Sequence, residues 1–198
     1  MTELNHPAEN GEAVLTFWFG LKSPGKKDDA RVREVLGPLH ERAAVGELIH
    51  WAEPPRDRLA LILLLDQVPR HLYRDDPRAY ATDAMARDLT ALFVERNDWR
   101  TFKPIEKFYA SHPWLHAEDF ELQSKIHGHY QELAPQLPGL EFMAATADLY
   151  LETIRRFGRF PHRNKILGRE TTPEEQAFLD TVWNRKRGPE NTAPDSGQ

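Results

Sequence analysis

The densest group of chemically capable side chains in the sequence is the stretch FGRFPHRNKILG, Phe157–Gly168. Arg159, His162, Arg163, Asn164 and Lys165 surround Phe160 and Pro161 there, and from Arg155 to Lys165 there are five Lys or Arg residues and no acid. A guanidinium reads planar carboxylates and phosphates through paired N–H donors, and an imidazole titrates near neutral pH. Arg159, Arg163 and Asn164 are therefore candidate ligands for an anionic group, with His162 a candidate acid or base. Phe160, Pro161, Ile166 and Leu167 have the character of anchors that pin such a loop to a core. The same charges could instead tie the loop to acids elsewhere in the chain, and Asp66, Asp83 and Glu118 are the acids available for this.

Two further groups could contribute. Asp66 and Gln67 follow directly on the apolar run Leu59–Leu65. An acid in the last turn of a buried helix opposes the macrodipole by roughly 0.3–1 kcal/mol, and burial without a partner costs more. Asp66 therefore needs a partner, with Arg70, Arg159 and Arg163 as candidates; a purely structural ion pair would serve as well. Asp83, among Ala79, Ala81, Ala84 and Ala86, is expected taken alone to be solvated. The segment SHPWLHAEDFELQ offers His116 as a second acid or base and Glu118 to orient it. His112 and His116 have the spacing of two metal ligands on one helix face. Pro113 between them points to His112 as a cap or loop residue, and no third ligand stands at a recognisable spacing, so no metal site is expected. Glu118 and Asp119 also suit a helix start.

The elements that would position these groups all read as helices. The first is expected over Pro7–Phe19 and the second from Asp28 or Asp29 to about Val45, broken or kinked at Gly37-Pro38. The third starts near Arg56 and ends or kinks at Val68 before Pro69. Asp76 before Pro77 reads as the cap of a fourth, running to about Glu95. A short helix follows over Pro104–Tyr109, then two more over about Ala117–Ala134 and Pro138–Phe157, with Gly158 as the residue past the end. Thr172 caps a last helix with Pro173 at its first position. No segment alternates with period two over strand length. The expectation is an all-α protein with a single domain of seven or eight helices over residues 1–184 and a disordered tail over 185–198.

Bulk composition narrows the function classes. The chain has 198 residues, enough for one well-buried core, and a formal net charge of −5, which gives general nucleic-acid binding no electrostatic support. It has no cysteine, so disulfides and thiolate chemistry are excluded. The N-terminal MTELNHPAENGEAV lacks a signal-peptide pattern, and the longest apolar run is too short for a membrane span. A soluble cytoplasmic protein is expected. There is no glycine-rich phosphate loop, nucleophile elbow or metal triad, and no cofactor is implied.

Three stretches together resemble the bacterial domain of unknown function number 924: LALILLLDQVPRHLYR, HAED with Gln123 after it, and RFGRFPHRNKILGRETTPEEQAFL. Members of that family typically read LLDQFPRN, HSED with a following glutamine, and FGRFPHRN with TPEE downstream. The likeness runs from the FWFG at Phe17–Gly20 to Phe178 and Leu179. It implies an all-helical fold similar to tetratricopeptide-repeat superhelices, and brings no established activity. The family's polar motif positions fall on Asp66, Gln67, Arg70, Asp83, His116, Glu118, Asp119, Gln123, Arg159, His162, Arg163 and Asn164. This chain departs at Val68 (phenylalanine in the family), His71 (asparagine) and Ala117 (serine). It also departs near Leu149–Tyr150, where a histidine is usual, and in the segment after Gly20.

The functional expectation is a small-molecule site for an anionic group. His116, His162 and Asp66 would supply acid–base chemistry; Gln67, Arg70, Glu118, Arg159, Arg163 and Asn164 would bind. The alternative is a helical scaffold whose arginine-rich loop clamps an acidic peptide.

Overall fold

The computed structural model describes residues 10–21 and 24–183. They form an all-α protein with no strand among the described residues. The helices are α1 (Gly11–Gly20), α2 (Asp29–Ala44), α3 (Pro55–Ile62), α4 (Val68–Leu72), α5 (Asp83–Glu95), α6 (Pro104–Leu115), α7 (Phe120–Leu133), α8 (Met143–Phe157) and α9 (Pro173–Phe178). A π-helical turn, Leu63–Gln67, joins α3 to α4, and a second, Leu179–Trp183, follows α9. The expected helix start at Pro7 and the expected tail over 185–198 lie outside the described residues.

The residues expected as one domain group into two compact units. One contains the described residues up to Arg74 together with Arg78–Pro113; the other contains Asp75–Pro77 and the described residues from Trp114 onward. In the first, α3 packs against α1 and α5, and α2 against α4 and the π turn. Leu59, Ala60, Ile62, Leu63 and Leu64 are completely buried, as an all-round apolar helix requires. Arg58, equally buried, is held by Asp98 and by the carbonyls of Ala52 and Glu53. In the second unit α7 packs on α8, with Tyr130, Ile126, Leu149 and Ile154 buried, and Phe160 and Trp183 join this core.

Prolines account for most differences from the expected boundaries. Helix α2 is unbroken through Pro38, which is exposed, as is Glu34 one turn back. Water can therefore take the carbonyl that Pro38 cannot serve. The fourth helix begins at Asp83 rather than Pro77, because Pro77–Tyr80 closes as a separate 3-10 turn. Helix α6 continues through Pro113 to Leu115, so His112 is helical while His116 lies past the end, and the two share no helix face. The third helical stretch does not end at Val68; it passes through the π turn into α4.

Candidate functional site

In the first unit the site is built on that π turn. Its wider bond runs from Val68 N–H to the Leu63 carbonyl. Pro69 comes next and has no N–H to return to the carbonyls one turn back. Two buried side chains supply the missing donors. His40 Nδ1 lies 2.8 Å from the Leu64 carbonyl, which can only accept, so Nδ1 carries the proton. Thr82 Oγ1 donates to the Leu65 carbonyl at 2.5 Å.

The extra residue of the π turn sets the direction of the Asp66–Arg70 group. Asp66 is fully buried and accepts from Gln67 Nε2. Arg70 Nη2 lies 2.7 Å from Asp83 Oδ1 and 3.7 Å from Asp66 Oδ1. Of the partners open to Asp66 from sequence, Arg70 is therefore present within this unit. Asp83 is buried, not solvated as its neighbours suggest: it stands in the first turn of α5, where the macrodipole favours an acid. The Arg70 guanidinium stacks 4.5 Å over the Tyr80 ring. Burial opposes its charge, but Asp83 and Asp66 outweigh this and raise its pKa above the ordinary arginine value. Its Nη1 is buried and has no hydrogen-bond acceptor among the described residues. His71, where the family has asparagine, faces Asp29 with Nδ1 at 2.8 Å; burial keeps its pKa below the usual imidazole value despite that acid.

The same unit holds an open apolar pocket of about 180 Å³ between α2, α3 and α5. It is lined by Ala43, Gly46, Ile49, Ala52, Leu61, Leu65, Met85, Asp88, Leu89 and Leu92. Leu65 reaches it from the π turn.

In the second unit the basic loop begins at Gly158, which has a left-handed φ of 66° and donates to the Ile154 carbonyl. Phe160 is completely buried against Tyr150, 4.9 Å between ring centroids. Tyr150, near where the family has a histidine, also stacks on Trp183 at 5.5 Å. His162 stacks on the same indole at 4.2 Å.

Within this unit the loop's charges meet local partners. Arg159 makes a two-pronged pair with Glu175, Nε to Oε1 at 2.6 Å and Nη2 to Oε2 at 2.9 Å. Glu175 also accepts from Thr172 N–H and from Asn164 Nδ2, and Arg159 above all holds its pKa down, at about 2. Arg163 donates to the main-chain carbonyl of His116 at 3.0 Å and lies 4.6 Å over the Phe160 ring. Glu118 accepts from Phe160 N–H at 2.7 Å and from both terminal nitrogens of Arg169. Burial works to raise its pKa, but those bonds outweigh it and keep the carboxyl below its usual range. Asp119 caps α7 by accepting from Leu122 N–H, and Gln123 Nε2 donates to the Leu115 and Ala117 carbonyls.

Of the candidate residues, Asp66, Gln67 and Arg70 belong to one unit and His116, Glu118, Arg159, His162, Arg163 and Asn164 to the other. Sequence reasoning missed Arg169 and the central part played by Glu175. Glu175 was readable from the T-P-E-E spacing of a capping box, which it completes with Thr172; nothing local marks Arg169. No group of three or more His, Cys, Asp or Glu among the described residues could hold a metal ion. No helix among them is long and apolar enough to cross a membrane.

A search of solved structures matches a protein of unknown function, ATU0120, from Agrobacterium tumefaciens. It is 33% identical, with a TM-score of 0.78, over 86% of this chain and 96% of that one. No curated protein matches the sequence. The model of the family described as "Bacterial protein of unknown function (DUF924)" matches residues 8–182, and the chain accordingly belongs to that family.

Proposed function

We propose that this protein binds a small polar molecule at Arg70 and Gln67, through an oxygen atom that accepts from the guanidinium. The observation that carries the reading is the buried Arg70 Nη1 without an acceptor among the described residues. The Arg70 side chain keeps 21% of its surface exposed, which gives a small acceptor an approach to the group, and an unmet guanidinium N–H inside it gains more from an acceptor than one at the surface does. Support also comes from the π turn beneath it, a feature frequent at functional sites.

The two acids beside Arg70 narrow the ligand. Asp83 Oδ1 and Asp66 Oδ1 already stand 2.7 and 3.7 Å from Arg70 Nη2, so a multiply charged anion reaching Arg70 would meet two carboxyl groups at short range. That disfavours a phosphate, and a molecule that accepts at Arg70 while donating to a carboxylate suits the group better. Carboxamides and amino-acid-like zwitterions have this character. Arg159 is a weaker candidate for ligand binding because its fork already holds Glu175. The proposal concerns recognition and assigns no reaction.

A thermal-shift panel of acetamide, acetate, glycine, glycinamide and phosphate tests the reading. The neutral and zwitterionic compounds should raise the melting temperature of the wild type and leave Arg70→Lys unmoved, since lysine keeps the charge and loses the planar fork. Gln67→Ala, at a half-buried position, should weaken the response without unfolding the protein. Equal responses in wild type and Arg70→Lys would overturn the proposal.

A further inference from the structure

The apolar pocket of the first unit lies apart from the polar group on Arg70 and asks for a different ligand. Its walls are Leu61, Leu65, Leu89 and Met85, with Ile49 at the rim, and Asp88 is the one charged side chain lining it. Ile49 is 63% exposed. An open pocket of about 180 Å³ with such walls offers water few polar partners, so an apolar group that enters it is favoured by the surface both sides withdraw from water. The wall itself is almost entirely apolar and Asp88 is exposed, which puts its carboxylate at the mouth and supplies the direction: a ligand whose apolar end fills the pocket brings its polar end out beside Asp88, where a cation is favoured. From this geometry we infer that the pocket is a binding site for short amphiphilic cations, of which alkylammonium ions are the simplest.

The two parts of the ligand contribute unequally. The apolar chain supplies most of the affinity, roughly fourfold per buried methylene. Asp88 is exposed, so its pairing with the ammonium is screened by solvent and selects head groups by only about two- to fivefold. Met85 is a flexible side chain that can adjust to different chains.

The test is methyl-detected NMR of the full-length protein with labelled Met, Leu and Ile. It is titrated with n-alkylamines, n-alkanols and n-alkanoates from four to eight carbons. Saturable shifts are expected at the Met85, Leu65 and Leu61 methyls, with affinity rising with chain length until the pocket is full. At equal length amines should bind about two- to fivefold more tightly than alkanols, and alkanoates most weakly. Asp88→Asn should keep binding and abolish the head-group order, and Leu92→Trp, which adds bulk to the wall, should abolish binding. If no compound shifts these methyls saturably, the pocket is not a ligand site. If alkanoates bind the wild type as well as amines do, the cation assignment fails.

Discussion

His40 meets the Leu64 carbonyl at 2.8 Å, fully inside the first unit, and so takes the place of a backbone donor that Pro69 cannot be. The motif D-Q-x-P-R is thereby a structural device before it is anything else. A π turn changes the helix register, proline follows it, and side chains from two other elements satisfy the freed carbonyls. The same change of register brings Asp66 and Arg70 together with Asp83.

The first prediction concerns these two donors. His40→Leu and Thr82→Val each leave a buried carbonyl without its side-chain partner, at a cost of about 1–3 kcal/mol. Urea denaturation should show this as a lower midpoint with an unchanged slope. Stability within 0.5 kcal/mol of wild type in both variants would mean that the π turn does not depend on them.

A second prediction follows from Arg159 and Glu175. The folded-state pKa of Glu175, about 2, lies below its ordinary 4.5. Ionisation of Glu175 therefore stabilises the fold above about pH 4.5, and this contribution is lost as the pH falls through 2. Glu175→Gln should be less stable than wild type at pH 7, with the gap narrowing between pH 4.5 and pH 2. A gap that does not change with pH would assign the effect to packing and hydrogen bonding alone.

Phe160 carries the third. It is completely buried and contacts Tyr150, while Arg163 lies across its face. Phe160→Ala should cost about 3–5 kcal/mol, measured by chemical denaturation, and should free the basic loop to exchange its amides rapidly. A loss below 1 kcal/mol would contradict the role of Phe160 as the anchor.

The sequence was readable where the cause of the structure is local. Gly158 ends α8 in the left-handed region, and Thr172 caps α9 with its hydroxyl, both from residues within one turn. The burial of Phe160 and the need of Asp66 for a partner followed from residue type and helix position. The π turn was not readable, because LLLDQ has no local preference for it; it rests on His40 and Thr82, far off in the chain. For the same reason the sequence leaves both an end and a kink before Pro69 open, and the helical stretch continues through the π turn. Asp83 looked solvated among alanines, yet Arg70 and the start of α5 bury it. Arg169 gave no signal because its partner, Glu118, is distant in sequence.

The central claim is recognition of an acceptor oxygen by Arg70, and the most direct measurement is NMR of its guanidinium nitrogens during titration with acetamide and glycinamide. The account predicts a saturable shift of the Arg70 Nη resonances, with the Arg159 resonances unmoved, and no binding to Arg70→Lys. Arg70 resonances unchanged up to saturating concentrations of both compounds would contradict it.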